Sequence, residues 1–114
     1  MTIRSGYHDK QDVLVRNRTT HQQVLVTAGD LYTAVIDGSG DVVGRYVGPH
    51  NAPRIGFPIE PHQSSLVPAL IGTASLVPDL GYAVPPGRWG LVVSLQTETS
   101  GHLLSEPLEL TVEP

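Results

Sequence analysis

Trp89-Gly90-Leu91-Val92-Val93-Ser94-Leu95-Gln96 alternates with a period of two: Trp89, Leu91, Val93 and Leu95 face one way, and Gly90, Val92, Ser94 and Gln96 the other. That period belongs to a β-strand, not to a helix. The turn Pro85-Pro86-Gly87 starts it, and the polar segment Glu98–Gly101 ends it. Leu108, Leu110 and Val112 then alternate with Glu109, Thr111 and Glu113, the pattern of a strand with one buried and one wet face. These two stretches predict antiparallel strands whose apolar sets, Trp89 to Leu95 and Leu108 to Val112, mostly point inward.

Upstream, the same period recurs in shorter pieces. Gln11–Asn17 and Gln23–Thr27 read as strands joined by the polar turn Arg18–His21, and Asp30–Asp37 as a central strand apolar on both faces. Asp37-Gly38-Ser39-Gly40-Asp41 is the strongest hairpin-turn signal in the chain, and Val42–Val47 the strand it returns, with an exposed edge. Gly48–Arg54 is a proline-restrained loop, Ile55–Ile59 a short strand, and Leu66–Leu76 an irregular strand broken near Pro68. Ten prolines and twelve glycines punctuate the 114 residues, eight of the prolines between Pro49 and Pro86, so no ordinary helix fits there. The expectation is an all-β, antiparallel β-sandwich of about seven short strands over residues 11–114, preceded by a flexible tail at 1–10. Trp89 is the expected core anchor, its indole N–H requiring a partner.

The segments Val13–Thr19, Ala34–Val43 and Tyr82–Val93 resemble bacterial immunoglobulin-like sandwiches, in particular the bacterial intracellular proteinase inhibitor group. That group has an early strand ending in Asn-x-Ser/Thr, here Asn17-Arg18-Thr19, and a middle Asp-x-x-Gly hairpin, here Asp37–Gly40. A late Pro-Gly turn and an aromatic lead into its penultimate strand, here Pro86-Gly87 and Trp89. The resemblance runs through residues 13–112 and implies the immunoglobulin-like fold. No tryptophan follows the middle hairpin, and the loop from Gly48 is proline-rich, both departures from the group.

Composition narrows the chemistry. With no cysteine, the chain has no disulfide, thiol nucleophile or Cys-ligated metal site. No apolar run is long enough to predict a membrane helix, and the N-terminus lacks the apolar segment of a signal peptide, so a complete chain is expected in the cytoplasm. Seven scattered bases, one Phe and one Trp in a chain of net charge -4 argue against nucleic-acid binding. His8, His21, His50, His62 and His102 lack metal-ligand spacing, and no zinc, copper or other cofactor is expected. Asp37, Ser39 and Asp41 supply too few oxygens for calcium without other ligands, so a hairpin turn is the expected role. No Gly-x-Ser-x-Gly elbow or phosphate loop is present, and the chain is expected not to be an enzyme. Asn17-Arg18-Thr19 matches a glycosylation acceptor, but it is expected to be a strand-to-turn transition bonded to local backbone.

What is left is binding. The Gly48–Arg54 loop presents His50, Asn51 and Arg54 on a backbone whose prolines reduce the entropy lost on docking. The segment around Tyr82 and Arg88 adds an aromatic and a guanidinium, types enriched at binding hot spots. These five residues are the expected contact set of a protein-interaction module, inhibitor-like by the resemblance. Carbohydrate or small-ligand binding, or a purely structural domain, are the alternatives. The partner and the oligomeric state are not encoded in any of these patterns.

Overall fold

The computed structural model describes residues 1–50, 53–99 and 101–114, and its regular elements are strands apart from one 3-10 turn at Pro78–Leu80. In order they are β1 (Thr2–Arg4), β2 (His8–Arg16), β3 (Gln23–Thr27), β4 (Leu31–Ile36), β5 (Val42–Arg45) and β6 (Ile55–Ile59). Then come β7 (Ser64–Gly72), β8 (Ala74–Ser75), β9 (Gly87–Gln96), β10 (His102–Leu104) and β11 (Leu108–Glu113). The described residues thus hold eleven strands rather than about seven. No helix among the described residues is long and apolar enough to cross a membrane.

One path of the large sheet runs β1-β11-β9-β4-β5-β8, with β10 beside β9; β7 branches from β4 and carries β2. The sheet curls into a half-barrel, giving a sandwich-like body, and β3 pairs with β6 in a separate ribbon. The branch lies at β4. Its first residues pair parallel with β7, Leu31 opposite Ala69 and Tyr32 opposite Leu70, and its last residues pair antiparallel with β5. On its other side β4 pairs with β9 from Thr33 to Ile36.

Alternating side chains fill the space inside the curl in two clusters. Val35, Ile71, Leu91, Leu110 and Val112 centre one; Leu31, Val67, Ala69 and Val93 centre the other, closed below by Leu25 and Ile59 of the ribbon. The alternation in β9 and β11 therefore holds at Leu91, Val93, Leu110 and Val112, all buried. Leu108, the first residue of β11, departs from it and is exposed. Trp89 is half-buried at the edge of the first cluster, its Nε1–H donating to the Pro85 carbonyl at 2.9 Å. The fully buried anchors are Leu31, Ile71, Leu91 and Leu110.

Several boundaries differ from the sequence expectation, each for a tertiary reason. Residues 1–10, expected as a tail, hold β1 and the start of β2; Ile3 is buried and β1 runs parallel to β11. Such pairing lies more than a hundred residues away along the chain, beyond any local pattern. β7 passes through Pro68 unbroken, since β4 joins it only from Ala69 and the missing N–H lies where β7 has a single neighbour. β5 is not an edge, being flanked by β4 and β8. His102–Leu104, without a strand expectation, form β10 beside β9, and after it the Ser105 hydroxyl accepts from the Val93 N–H at 2.9 Å before β11 begins.

Two buried polar side chains pin opposite ends. Asn17 Nδ2 donates to the carbonyls of His21 (2.8 Å) and Ile59 (2.9 Å), while its Oδ1 accepts from the Thr19 N–H and hydroxyl. That is the expected strand-to-turn role, and it leaves the amide fully engaged in the fold. Thr73 donates to the Tyr7 carbonyl and accepts from the Gly6 N–H. At Gly72 the Tyr46 backbone packs directly over the Cα, where any Cβ would collide with it. We expect Gly72→Ala to cost about 1–3 kcal/mol in urea unfolding, since rigid backbone rather than a flexible side chain must give way. Asn17→Ala should lose about 1–3 kcal/mol by stranding buried carbonyls and the Thr19 N–H.

Candidate functional site

The β4–β7 seam also assembles the most polar cluster. Lys10 of β2 lies opposite Leu70 of β7, and Leu70 lies opposite Tyr32 of β4, so these three residues form one row across three strands. Asp30 immediately precedes β4, after a turn at Gly29 whose φ of 92° suits glycine, and its side chain is 8 % exposed. Its Oδ2 lies 3.3 Å from Lys10 Nζ and 3.3 Å from His50 Nε2. The His50 Nδ1 lies 3.5 Å from the Tyr32 hydroxyl, with the two rings tilted 5.5 Å apart. A buried carboxylate needs such partners, and these hold the His50 ring between an acid and a phenol.

Around this cluster lie three hollows with shared lining residues, together the trough. The first, 260 Å³, is lined by Thr27, Asp30, Tyr32, Arg54 and His102. The second, 550 Å³, shares Asp30 and adds His8, Lys10, Tyr46, Pro49 and His50. The third, 370 Å³, shares His8, Tyr46 and Pro49 and ends at Tyr7 and Tyr82. All four tyrosines of the chain therefore line it. Tyr82 is 98 % exposed, Tyr7 lies under the Arg4 guanidinium, and His8 packs on Tyr46 at 5.0 Å. Tyr46 is fixed by its hydroxyl, which donates to the Pro49 carbonyl at 2.5 Å.

Of the five residues expected from the sequence, the trough gathers three: His50 in its middle, Arg54 at one end and Tyr82 at the other. Asn51 lies outside the described residues. Arg88 is exposed beside the Asp37–Gly40 hairpin, Trp89 and Pro107, in a separate hollow. It starts β9 while Arg54 faces the Ser94 and Gln96 end, roughly 20–25 Å away at strand rise. Asp30, Lys10, Tyr32, His8 and Tyr46 are not in the contact set expected from the sequence. Their signal is weak: Asp30 stands alone at a strand start, and Lys10 and His8 lie in the segment expected as tail.

The remaining polar candidates resolve into local structure. Asp37 Oδ1 accepts from the Ser39 and Asp41 N–H groups at 2.8 and 3.0 Å, as a hairpin turn requires. Among the described residues no three His, Asp or Glu side chains gather in a way that would hold a metal ion. The chain matches no protein-family model and no curated protein sequence.

The polar cluster makes a measurable claim about Asp30. Because Lys10 is mostly exposed, a double-mutant cycle of Lys10→Ala with Asp30→Asn should give a coupling of only about 0–1 kcal/mol. Asp30→Ala alone should cost more, about 1–3 kcal/mol in denaturant unfolding, because it also removes the acceptor that holds His50.

Proposed function

We propose that this chain is a non-catalytic protein-interaction module on an immunoglobulin-like sandwich, and that it binds through the tyrosine-lined trough. Its strand pairing supports the immunoglobulin-like part. β2 pairs with β7, while β4, β9 and β11 lie side by side with β1 parallel to β11, similar to a B–E pair and a C–F–G layer, although here the β4–β7 seam joins the two. The Trp89 bond back to Pro85, four residues upstream, plays the part of the aromatic corner at the start of strand F.

One observation carries the functional part: a fully exposed Tyr82, which contributes no packing, closes a trough that holds every other tyrosine. Tyrosine gives a large amphipathic contact for few frozen torsions, and interface hot spots are enriched in it. Lys10, Arg45 and Arg54 outnumber Asp9 and Asp30 along the lining, so in a chain of net charge -4 the trough favours an acidic partner. Proteinase inhibition is one form such binding would take. Exposed tyrosines in a row also suit stacking on sugar rings, the second reading.

Pull-down with the intact chain and mass spectrometry identifies the partner, and a glycan array checks the second reading. Tyr82→Ala should weaken binding by roughly thirtyfold and Arg54→Ala by about tenfold, as hot-spot truncations do. Melting temperatures should stay within about 3 °C, both side chains being exposed. Arg88→Ala, outside the trough, should leave affinity unchanged. Loss of binding on Arg88→Ala with retention on Tyr82→Ala refutes the trough.

A further inference from the structure

The outer edge of β2 is the longest unpaired strand edge among the described residues. β2 has nine residues and pairs only with β7. Its N-terminal half has company, since Gln11 Nε2 donates to the Thr2 carbonyl of β1 at 3.0 Å. Its C-terminal half, Asp12–Arg16, makes no described backbone hydrogen bond outside the β7 ladder. In a strand with one neighbour, alternate residues aim N–H and C=O groups at the open side, and natural edges usually block that template with a proline, a bulge or an inward charge. Val13-Leu14-Val15 has none of these.

The side chains here are self-complementary. Asp12, Leu14 and Arg16 share the outer face of the sheet, and all three are exposed, Leu14 by 69 %. Leu14 stands opposite Leu66, itself 61 % exposed. Neither Asp12 nor Arg16 has an ion pair or hydrogen-bonding side-chain partner among the described residues, and four residues of extended chain keep them about 13 Å apart. An antiparallel copy of β2 with the two-fold axis through Leu14 resolves all of this. Leu14 then faces Leu14 of the second copy, Asp12 faces Arg16 in both directions, and on the inner face Val13 faces Val15. Moving the axis to Val13 sets Lys10 against Arg16, and moving it to Asp12 sets Asp12 against itself. Half-residue shifts join the inner face of one copy to the outer face of the other. Beyond Arg16 the chain turns away at the buried Asn17, so pairing stops there.

We propose that this edge is a homodimer interface: two copies pair through Asp12–Arg16, forming a continuous β7-β2-β2-β7 sheet with Leu66, Leu14, Leu14 and Leu66 in a row on its outer face. The contact is isologous and closes on itself, so it consumes the open edge without starting a filament. It is separate from the trough, which begins at the other end of β2.

Sedimentation equilibrium of the intact chain from about 5 to 500 μM should show a monomer–dimer equilibrium of micromolar strength, as suits a small strand-to-strand contact. Asp12→Arg and Arg16→Asp each replace two attractions by two repulsions, and each should weaken the dimer at least about tenfold. The double variant D12R/R16D restores opposite charges and should return to within about threefold of the original affinity. Leu14→Cys, the only cysteine in its chain, should oxidise to a disulfide-linked dimer, since directly opposed Cα atoms lie within disulfide reach. A chain that stays monomeric throughout this range overturns the proposal. So does a dimer indifferent to the single reversals, or one that the double reversal fails to rescue.

Discussion

The short parallel seam between β4 and β7 is the contact on which the rest of the molecule depends. Without it, the β2–β7 pair and the β1-β11-β9-β4-β5-β8 path would share no strand pairing among the described residues. Two residue pairs make it, Leu31 with Ala69 and Tyr32 with Leu70, and the Thr33 hydroxyl reinforces it by donating to the Leu70 carbonyl at 2.7 Å. Leu31 and Ala69 face the interior, so the seam and the second core cluster support each other. β4 then separates from β7 and pairs with β5, and this change of neighbour lets one sheet curl over its own core.

The same seam positions the trough. Lys10, Leu70 and Tyr32 are neighbours because the β2–β7 and β7–β4 registers align them. Asp30 sits where the chain enters β4, and its carboxylate draws Lys10 and His50 toward one point. Gly72 admits the Tyr46 backbone against β7, and the Tyr46 hydroxyl holds Pro49, which brings the loop carrying His50 across the outer face of the sheet. The polar cluster thus follows from backbone pairing and one close approach.

Matched polar groups set the ends of this small core. Thr73 uses donor and acceptor on a segment remote in sequence, Asn17 ties its local turn to the distant Ile59 carbonyl, and among the described residues no buried side-chain nitrogen or oxygen lacks a partner. An unmatched group would cost as much as a sizeable fraction of the stability of a 114-residue domain. The outer surface is less finished: Leu14, Leu66, Tyr82, Leu103 and Leu104 all stand open to solvent.

By itself the sequence determined what depends on near neighbours. Period-two alternation identified β9 and β11 and their inward residues Leu91, Val93, Leu110 and Val112, because a strand's facing is decided residue by residue. Turn chemistry identified the Asp37–Asp41 hairpin and the Asn17–Thr19 transition, whose hydrogen bonds span only a few residues. Loops and aromatics are visible as residue types, and three of the four described candidate contact residues line the trough proposed as the binding surface. Only the tertiary structure decided the rest. β1 is a strand because β11 waits beside it, and β7 tolerates Pro68 because its second neighbour begins one residue later. Asp30 belongs with Lys10 and His50 through strand registers that join positions tens of residues apart, and no local pattern carries a register.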